Sequence, residues 1–201
     1  MVCHMPSIEA AVIDPGGNAD DIIGTVLGDS VTVRRILLTH AHHDHVGAVA
    51  ALCRRFRIAC EIHKGDARLL RHAPMYALRF GGKHFEAAEP SNAFDGPWVI
   101  QLGLRQINVV HTPGHTAGSV CYDFGGFLFT GDTLLYHHVG RTDLPGGDAT
   151  LLNRSIQNLL DIFPDDTVLF PGHGRVWTIG EARLWWHEAS VLPPQYTQFD
   201  A

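Results

Sequence analysis

The sequence predicts an α/β (α+β) layered domain in which helices cover β-sheets, and three observations support this fold class. Short runs rich in valine and isoleucine recur along the 201 residues. Helical patterns separate some of these runs whereas others follow one another directly, an alternation typical of sheets packed against helices. Apolar residues make up 45% of the chain and charged residues 18%, which is ordinary globular composition.

Eight apolar runs are predicted to be β-strands, because they are short and several are bounded by glycine, proline or aspartate. Gly125 and Gly126 separate two of them and indicate a hairpin of type I′ or II′. The stretch 98–129 is therefore predicted to be an antiparallel meander. The eight runs are residues 10–13, 35–39, 58–62, 98–102, 106–111, 119–124, 127–130 and 167–170.

Five segments between the strands carry helical patterns. The best defined begins after Asp148, a residue type that caps helix N-termini, and ends before Pro164. Residues 81–97 are the least regular stretch and are predicted to form a loop that contacts substrate. The five helical segments are residues 19–27, 48–56, 67–71, 149–163 and 181–189.

The bulk properties restrict the class of protein. The length suits one domain spanning residues 1–201. A net charge of −6 and a pI near 6.1 disfavour binding to nucleic acid. Four cysteines without a C-x-x-C pair indicate free thiols in a reducing compartment. No apolar run approaches the roughly 20 residues of a membrane span, so we expect a cytoplasmic protein without a membrane partner.

A histidine-rich segment follows the predicted strand 35–39 and reads His40-Ala41-His42-His43-Asp44-His45. Side chains alternate along an extended chain, so His40 and His42 are able to share one ion, whereas Asp44 and His45 lie past the bend and serve a second. Imidazole and carboxylate are ligands of zinc, iron and manganese. A surface histidine cluster is the alternative interpretation. Structural zinc is disfavoured because no cysteine lies near this segment.

Three further segments have the same form, with a histidine or aspartate in a glycine-flanked turn just after an apolar run. They place His115, Asp132 and His173 at the ends of later strands. We therefore expect each of these side chains to be exposed and its backbone to be held by the preceding strand. The sequence therefore predicts that ligands for two metal ions converge from four strand ends.

These motifs, from Val-Ile-Asp-Pro-Gly at 12–16 to Pro-Gly-His-Gly at 171–174, resemble the metallo-β-lactamase fold superfamily and, within it, short bacterial hydrolases of the glyoxalase II type. The resemblance implies a four-layer αββα sandwich. It also implies two metal sites that Asp132 bridges, the first formed by His40, His42 and His115 and the second by Asp44, His45 and His173. β-Lactamases of the superfamily lack the bridging carboxylate.

Zinc is the expected metal, with iron or manganese as alternatives. Two such divalent ions lower the pKa of a bridging water and polarise a carbonyl. Asp44 and Asp132 are accordingly the predicted catalytic carboxylates. A thiolate departs without a general acid, whereas an amide nitrogen needs a proton, so attack of the bridging hydroxide on a thioester is favoured.

The substrate expectation depends on two stretches. Residues 140–148 resemble a loop of the short hydrolases, and their Arg-Thr-Asp part also occurs in persulfide dioxygenases; both families act on glutathione conjugates. Residues 174–183 resemble the hydrolases only. We therefore predict hydrolysis of S-2-hydroxyacylglutathione or a related small thioester. Arg141 is the candidate contact for a substrate carboxylate, with an ion pair to Asp143 as the alternative.

Three other functions remain open: an iron-dependent persulfide dioxygenase, a lactonase acting on a cyclic ester, and a non-enzymatic metal-binding module. The resemblance also implies that the C-terminal helical region that binds glutathione in full-length glyoxalase II is lacking here. The N-terminus begins near the family's second strand, which predicts an open sheet edge and a homodimer.

Overall fold

Two β-sheets lie face to face in the computed structural model of the chain, which describes residues 2–4, 9–29 and 31–191. The first sheet has five strands in the order β1-β2-β3-β4-β5, parallel except for β1. Its strands are Val2–His4, Glu9–Ile13, Thr32–Leu37, Cys60–His63 and Asn92–Phe94. Parallel pairing requires crossover connections, and helices provide most of them. These are α1 (Ala19–Gly28), α2 (His43–Val46), α3 (Val49–Phe56), a 3-10 turn (Lys64–Asp66) and α4 (Ala67–Arg79).

The second sheet contains six strands in the order β13-β12-β9-β8-β7-β6. Strands β6 to β9 form the predicted antiparallel meander, and Gly125 and Gly126 at its hairpin have φ angles of 71° and 94°, as a type I′ turn requires. Strand β12 joins β9 in parallel. The elements are β6 (Trp98–Leu102), β7 (Arg105–His111), β8 (Val120–Asp123), β9 (Phe127–Gly131), a ribbon of β10 (Leu134–Leu135) and β11 (His138–Val139), α5 (Ala149–Ile162), β12 (Val168–Pro171), β13 (Trp177–Thr178) and α6 (Ile179–Val191).

Three apolar clusters define the layers. Because side chains alternate across a strand, β8 sends Tyr122 into the cluster between the sheets and Cys121 into the cluster under α5 and α6. Likewise β2 sends Ile13 between the sheets and Val12 toward α1 and α3. The result is the four-layer αββα sandwich, which confirms the predicted fold class. None of the helices in the described ranges is long and apolar enough to cross a membrane.

The structure differs from the sequence prediction in several elements. Helix α4 extends to Arg79 through Pro74, well beyond the predicted 67–71, because Ala73 and Ala77 pack in the interior. Strand β5 lies inside the stretch 81–97 that was predicted to be a loop. The short helix α2 begins within the histidine-rich segment. The sheet edge predicted to be open beside β2 carries β1.

Candidate metal centre

Three histidines converge where β3 and β7 end. The ligand atoms of His40, His42 and His115 all lie within 4.8 Å of one another. Nδ1 of His42 is 2.8 Å from Nε2 of His115, and the buried Nε2 of His40 has no hydrogen-bond partner among the described residues. Buried polar atoms are normally satisfied. A shared cation accounts for all three nitrogens, so this donor set fits a divalent metal.

Burial controls the protonation of these rings. Burial lowers the pKa of His40 well below its ordinary value. Burial and the neighbouring His115 lower the pKa of His42 to about 3, and burial also lowers the pKa of His115. All three imidazoles are therefore neutral at pH 7, which is the form that binds a metal ion.

A second triad lies beside the first, at the start of α2 and after β12. The ligand atoms of Asp44, His45 and His173 are also within 4.8 Å of one another. Nε2 of His173 lies 3.1 Å from Nε2 of His45 and 3.1 Å from Oδ2 of Asp44. Burial acts to raise the pKa of Asp44, but the hydrogen bond from His173 and the nearby His45 bring it below its ordinary value. Asp44 is thus a carboxylate.

Asp132, directly after β9, faces both triads. Its Oδ1 lies 3.4 Å from Nε2 of His45, and its Oδ2 lies 3.7 Å from Nε2 of His115 and from Nε2 of His173. A carboxylate in this position is suited to bridging two ions. The structure brings all seven residues of the predicted set together: His40, His42, Asp44, His45, His115, Asp132 and His173. Their roles as ligands remain predictions.

Two glycines allow this close approach. A Cβ atom on Gly172 would lie 2.3 Å from Oδ1 of Asp132. A Cβ atom on Gly131 would lie 2.2 Å from Oγ1 of Thr39, and its φ of 49° is unfavourable for larger residues. The turns after β9 and β12 therefore have no room for a side chain at these positions.

The second ring nitrogen of three histidines is held by a fixed partner. Nδ1 of His40 lies 3.0 Å from Oγ1 of Thr39, and Nδ1 of His115 lies 2.7 Å from the carbonyl oxygen of Arg141. Nδ1 of His45 lies 3.1 Å from Oδ2 of Asp14. Such partners orient an imidazole and direct its other nitrogen toward a metal.

Asp14 is a supporting residue that the sequence analysis did not single out. It follows β2 with a φ of 46°, in a region that aspartate enters more readily than most residues. Its Oδ1 accepts a hydrogen bond from the backbone N–H of Thr39 (2.7 Å), and its Oδ2 accepts one from Oγ1 of Thr39 (2.5 Å). With its contact to His45, Asp14 fixes the start of the histidine-rich segment. Its place at a strand end was the available signal.

Replacing Asp14 with asparagine is expected to weaken metal binding, most directly at the second triad. The asparagine carbonyl would stay on the Thr39 amide, so its NH₂ group would face Nδ1 of His45 and could not accept a hydrogen bond. Loss of such a partner typically lowers metal affinity by about 10- to 100-fold. Zinc titration would measure this, with Asp20→Asn, an exposed carboxyl on α1, as the matched control. Equal zinc affinity in both variants would contradict this role of Asp14.

Asp66, before α4, is a second supporting residue that was missed. It is buried, and its oxygens accept hydrogen bonds from the backbone N–H of Ala41 (2.9 Å), the backbone N–H of Gly118 (2.8 Å) and Oγ1 of Thr116 (2.8 Å). Burial raises the pKa of Asp66, and these hydrogen bonds oppose the rise. Asp66 thereby joins the histidine-rich segment to the turn that carries His115.

A cavity of about 530 Å³, called here the central pocket, opens onto both triads. Its apolar wall includes Leu69, Tyr76, Phe80, Val139, Leu144 and Pro145. His43 also lines the pocket and stacks on the ring of Phe80 at 5.7 Å between centroids. Residues 81–97, all within the described ranges, do not line it, so the prediction that this stretch contacts substrate is wrong for this pocket.

Arg141 lies in the pocket wall, but its guanidinium is engaged by Asp143. Nε and Nη2 of Arg141 each donate to a different carboxylate oxygen of Asp143, both at 2.7 Å. The Arg141 guanidinium lowers the pKa of Asp143 to about 2. The ion pair that was the alternative for Arg141 is therefore present. A contact with substrate remains a prediction.

Comparison with known proteins agrees with this geometry. Residues 9–173 match the family model of the metallo-β-lactamase superfamily. Hydroxyacylglutathione hydrolase GloC of Haemophilus influenzae is 36% identical over 87% of this chain and 84% of its own. The crystal structure of BLEG-1 B3 metallo-β-lactamase is 38% identical with a TM-score of 0.83, covering 90% of this chain and 88% of that one. TTHA1623 in a di-iron-bound form is 34% identical with a TM-score of 0.80, covering 86% and 85%. The chain belongs to the metallo-β-lactamase superfamily.

Proposed function

We propose that the protein is a binuclear metal-dependent hydrolase that cleaves a small thioester such as S-2-hydroxyacylglutathione. The observation that carries this proposal is the pair of triads that share Asp132 at the mouth of the central pocket. The name of the H. influenzae relative supports the same substrate class. Zinc is the proposed metal, and iron and manganese are the alternatives. Of the two alternatives, the di-iron form of TTHA1623 favours iron.

Two bound divalent ions would supply a water of lowered pKa and a Lewis acid for a carbonyl. The chain's own contribution is positioning. Asp14 and the carbonyl of Arg141 hold the rings of His45 and His115, so their ligand nitrogens need no reorganisation on binding. The apolar wall, including Leu69 and Tyr76, excludes water from an acyl group beside the centre.

β-Lactams are a second candidate substrate class, because BLEG-1 is described as a B3 metallo-β-lactamase. Thioesters and β-lactams differ in the leaving group. A thiolate leaves unprotonated, whereas a lactam nitrogen needs a proton. Three carboxyl groups line the central pocket. Asp44 and Asp132 belong to the triads and Asp143 is paired with Arg141. The absence of an uncommitted carboxyl group in this pocket favours the thioester.

One purified sample tests the proposal. We expect about two metal ions per chain by elemental analysis, hydrolysis of S-lactoylglutathione, and slower or no turnover of a lactone and a β-lactam. Oxygen uptake with glutathione persulfide tests for a dioxygenase. One iron per chain with oxygen uptake and no thioester cleavage would overturn the proposal, as would efficient turnover of the β-lactam alone.

We also propose that Arg141 contacts a carboxylate of the substrate, which would compete with Asp143 for the guanidinium. Exposed ion pairs are worth only about 0.2–1 kcal/mol, so a substrate carboxylate is able to replace Asp143. We expect Asp143→Asn to lower the KM for S-lactoylglutathione by about twofold, because it releases Arg141. The KM of a thioester without a carboxylate serves as the control. An unchanged KM for both would assign Arg141 to the ion pair only.

A further inference from the structure

A second groove adjoins the central pocket and is called here the side groove. It is lined by residues that include Arg68, Leu69, His72, Met75, Tyr76 and Pro145, and its volume is about 380 Å³. Leu69, Tyr76 and Pro145 also line the central pocket. The two cavities therefore share one wall, and a substrate of two unequal halves is able to occupy both.

Arg68 is the cationic feature of the side groove. Its side chain is exposed and makes no hydrogen bond or ion pair with any residue in the described ranges. Other arginines nearby are engaged: Arg71, one turn further along α4, lies 3.4 Å from Glu89, and Arg141 is paired with Asp143. Arg68 is thus a cation at a cavity wall that is available to an anion.

The first turn of α4 adds to this positive character. Residues of this turn line the groove. Helix α4 has 13 residues and begins at Ala67, and its N-cap residue Asp66 makes no side-chain cap hydrogen bond. A helix N-terminus attracts negative charge. The carboxylate of Asp66 also lines the groove, but both of its oxygens are engaged by Ala41, Thr116 and Gly118.

Most of the remaining side chains in the lining are apolar, and His72 and Thr116 are its polar members. The side chain of Met75 is 57% exposed, and those of Leu69 and Tyr76 are partly exposed. Leu69 and Tyr76 provide an apolar surface common to both cavities, whereas Arg68 and Met75 line the side groove. A chain of methylene groups with an anion at its far end matches this surface in both polarity and charge.

We propose that the side groove binds the thiol-carrier half of the thioester, with a carboxylate of the carrier on Arg68 and the acyl half in the central pocket. The inference rests on the proposed hydrolysis of a thioester and adds the chemical class of its carrier. Arg68 is then a specificity residue that contacts substrate remote from the scissile bond. Its contribution to binding is that of one exposed charge pair.

Two thioesters with the same acyl group test this inference. S-lactoylglutathione carries carboxylates on its carrier, whereas S-lactoyl-N-acetylcysteamine carries none. We expect Arg68→Gln to raise the KM for S-lactoylglutathione by about fivefold, with kcat unchanged. The KM for the neutral thioester should not change. Arg71→Gln, on the same helix but already paired with Glu89, is the matched control and should affect neither substrate.

Binding of S-methylglutathione, which has no scissile thioester, separates this inference from the proposed function. Calorimetry should show binding to the wild-type protein that is about fivefold weaker in Arg68→Gln. Such binding without hydrolysis of either thioester would refute the proposed function and leave the carrier site standing. Hydrolysis of both thioesters with equal effects of Arg68→Gln and Arg71→Gln would refute the carrier site alone.

Discussion

Replacing Asp132 with alanine is expected to remove metal and activity together. Its carboxylate is the group that faces His45, His115 and His173 at once, so its loss leaves the two triads without a common ligand. We expect kcat/KM for the thioester to fall by at least about 100- to 1000-fold, the scale seen when one group that stabilises the transition state is removed. Metal content, measured on the same sample, should fall below that of the wild-type protein.

The control for this prediction is His43→Ala. His43 lies in the same histidine-rich segment and lines the central pocket, but it belongs to neither triad. Its removal should leave metal content unchanged and activity within a few-fold. If His43→Ala were as damaging as Asp132→Ala, the assignment of ligands would be wrong. The melting temperature of both variants after metal removal will show whether either change affects the fold itself.

Asp66→Ala is expected to destabilise the fold more than any other single change considered. The backbone amides of Ala41 and Gly118 would lose their acceptor, as would the Thr116 hydroxyl. A buried donor without a partner costs about 1–3 kcal/mol, so the loss of three such acceptors costs at least about 3 kcal/mol. For a chain of this size the melting temperature should fall by about 10 °C. Activity should fall as well, because the histidine-rich segment and the His115 turn lose their common anchor.

Asp161→Ala provides the comparison for Asp66. Asp161 is an exposed carboxylate on α5 that accepts one hydrogen bond from Gln157, and its loss should cost less than about 0.5 kcal/mol. Thermal unfolding and urea titration would measure both variants. If Asp66→Ala were no less stable than Asp161→Ala, the hydrogen bonds that Asp66 accepts would have no net effect on stability.

Local sequence patterns predicted the eight main strands and the layered fold because burial on one or both faces of a strand selects short runs rich in apolar residues. They did not predict β5, since Asn92–Phe94 forms a strand only through pairing with β4. Pro74 indicates a helix end, yet α4 continues through it. The loss of one backbone hydrogen bond there is offset by burial of Ala73 and Ala77. Tertiary packing decided both cases.

The metal centre shows the same difference between what local sequence patterns predict and what tertiary contacts decide. All seven predicted ligands have the residue types that metals select and lie at strand ends, so the sequence was sufficient to place them near one another. Asp14 and Asp66 act instead through hydrogen bonds to residues 25 to 52 positions away. Most of their partners are backbone amides and hydroxyls, which carry no recognisable pattern, and the contact of Asp14 with His45 is the exception. Only the folded chain shows that these two carboxylates support the centre.

The division of the centre between the two sheets has a consequence for stability. His40, His42, Asp44 and His45 follow β3, whereas His115, Asp132 and His173 follow strands of the second sheet. An ion bound there is therefore a cross-link between the two halves of the sandwich. Because it binds the folded chain in preference to the unfolded one, the free energy of unfolding increases with the concentration of free metal. We therefore expect the resistance of this protein to heat to depend on the metal supply around it.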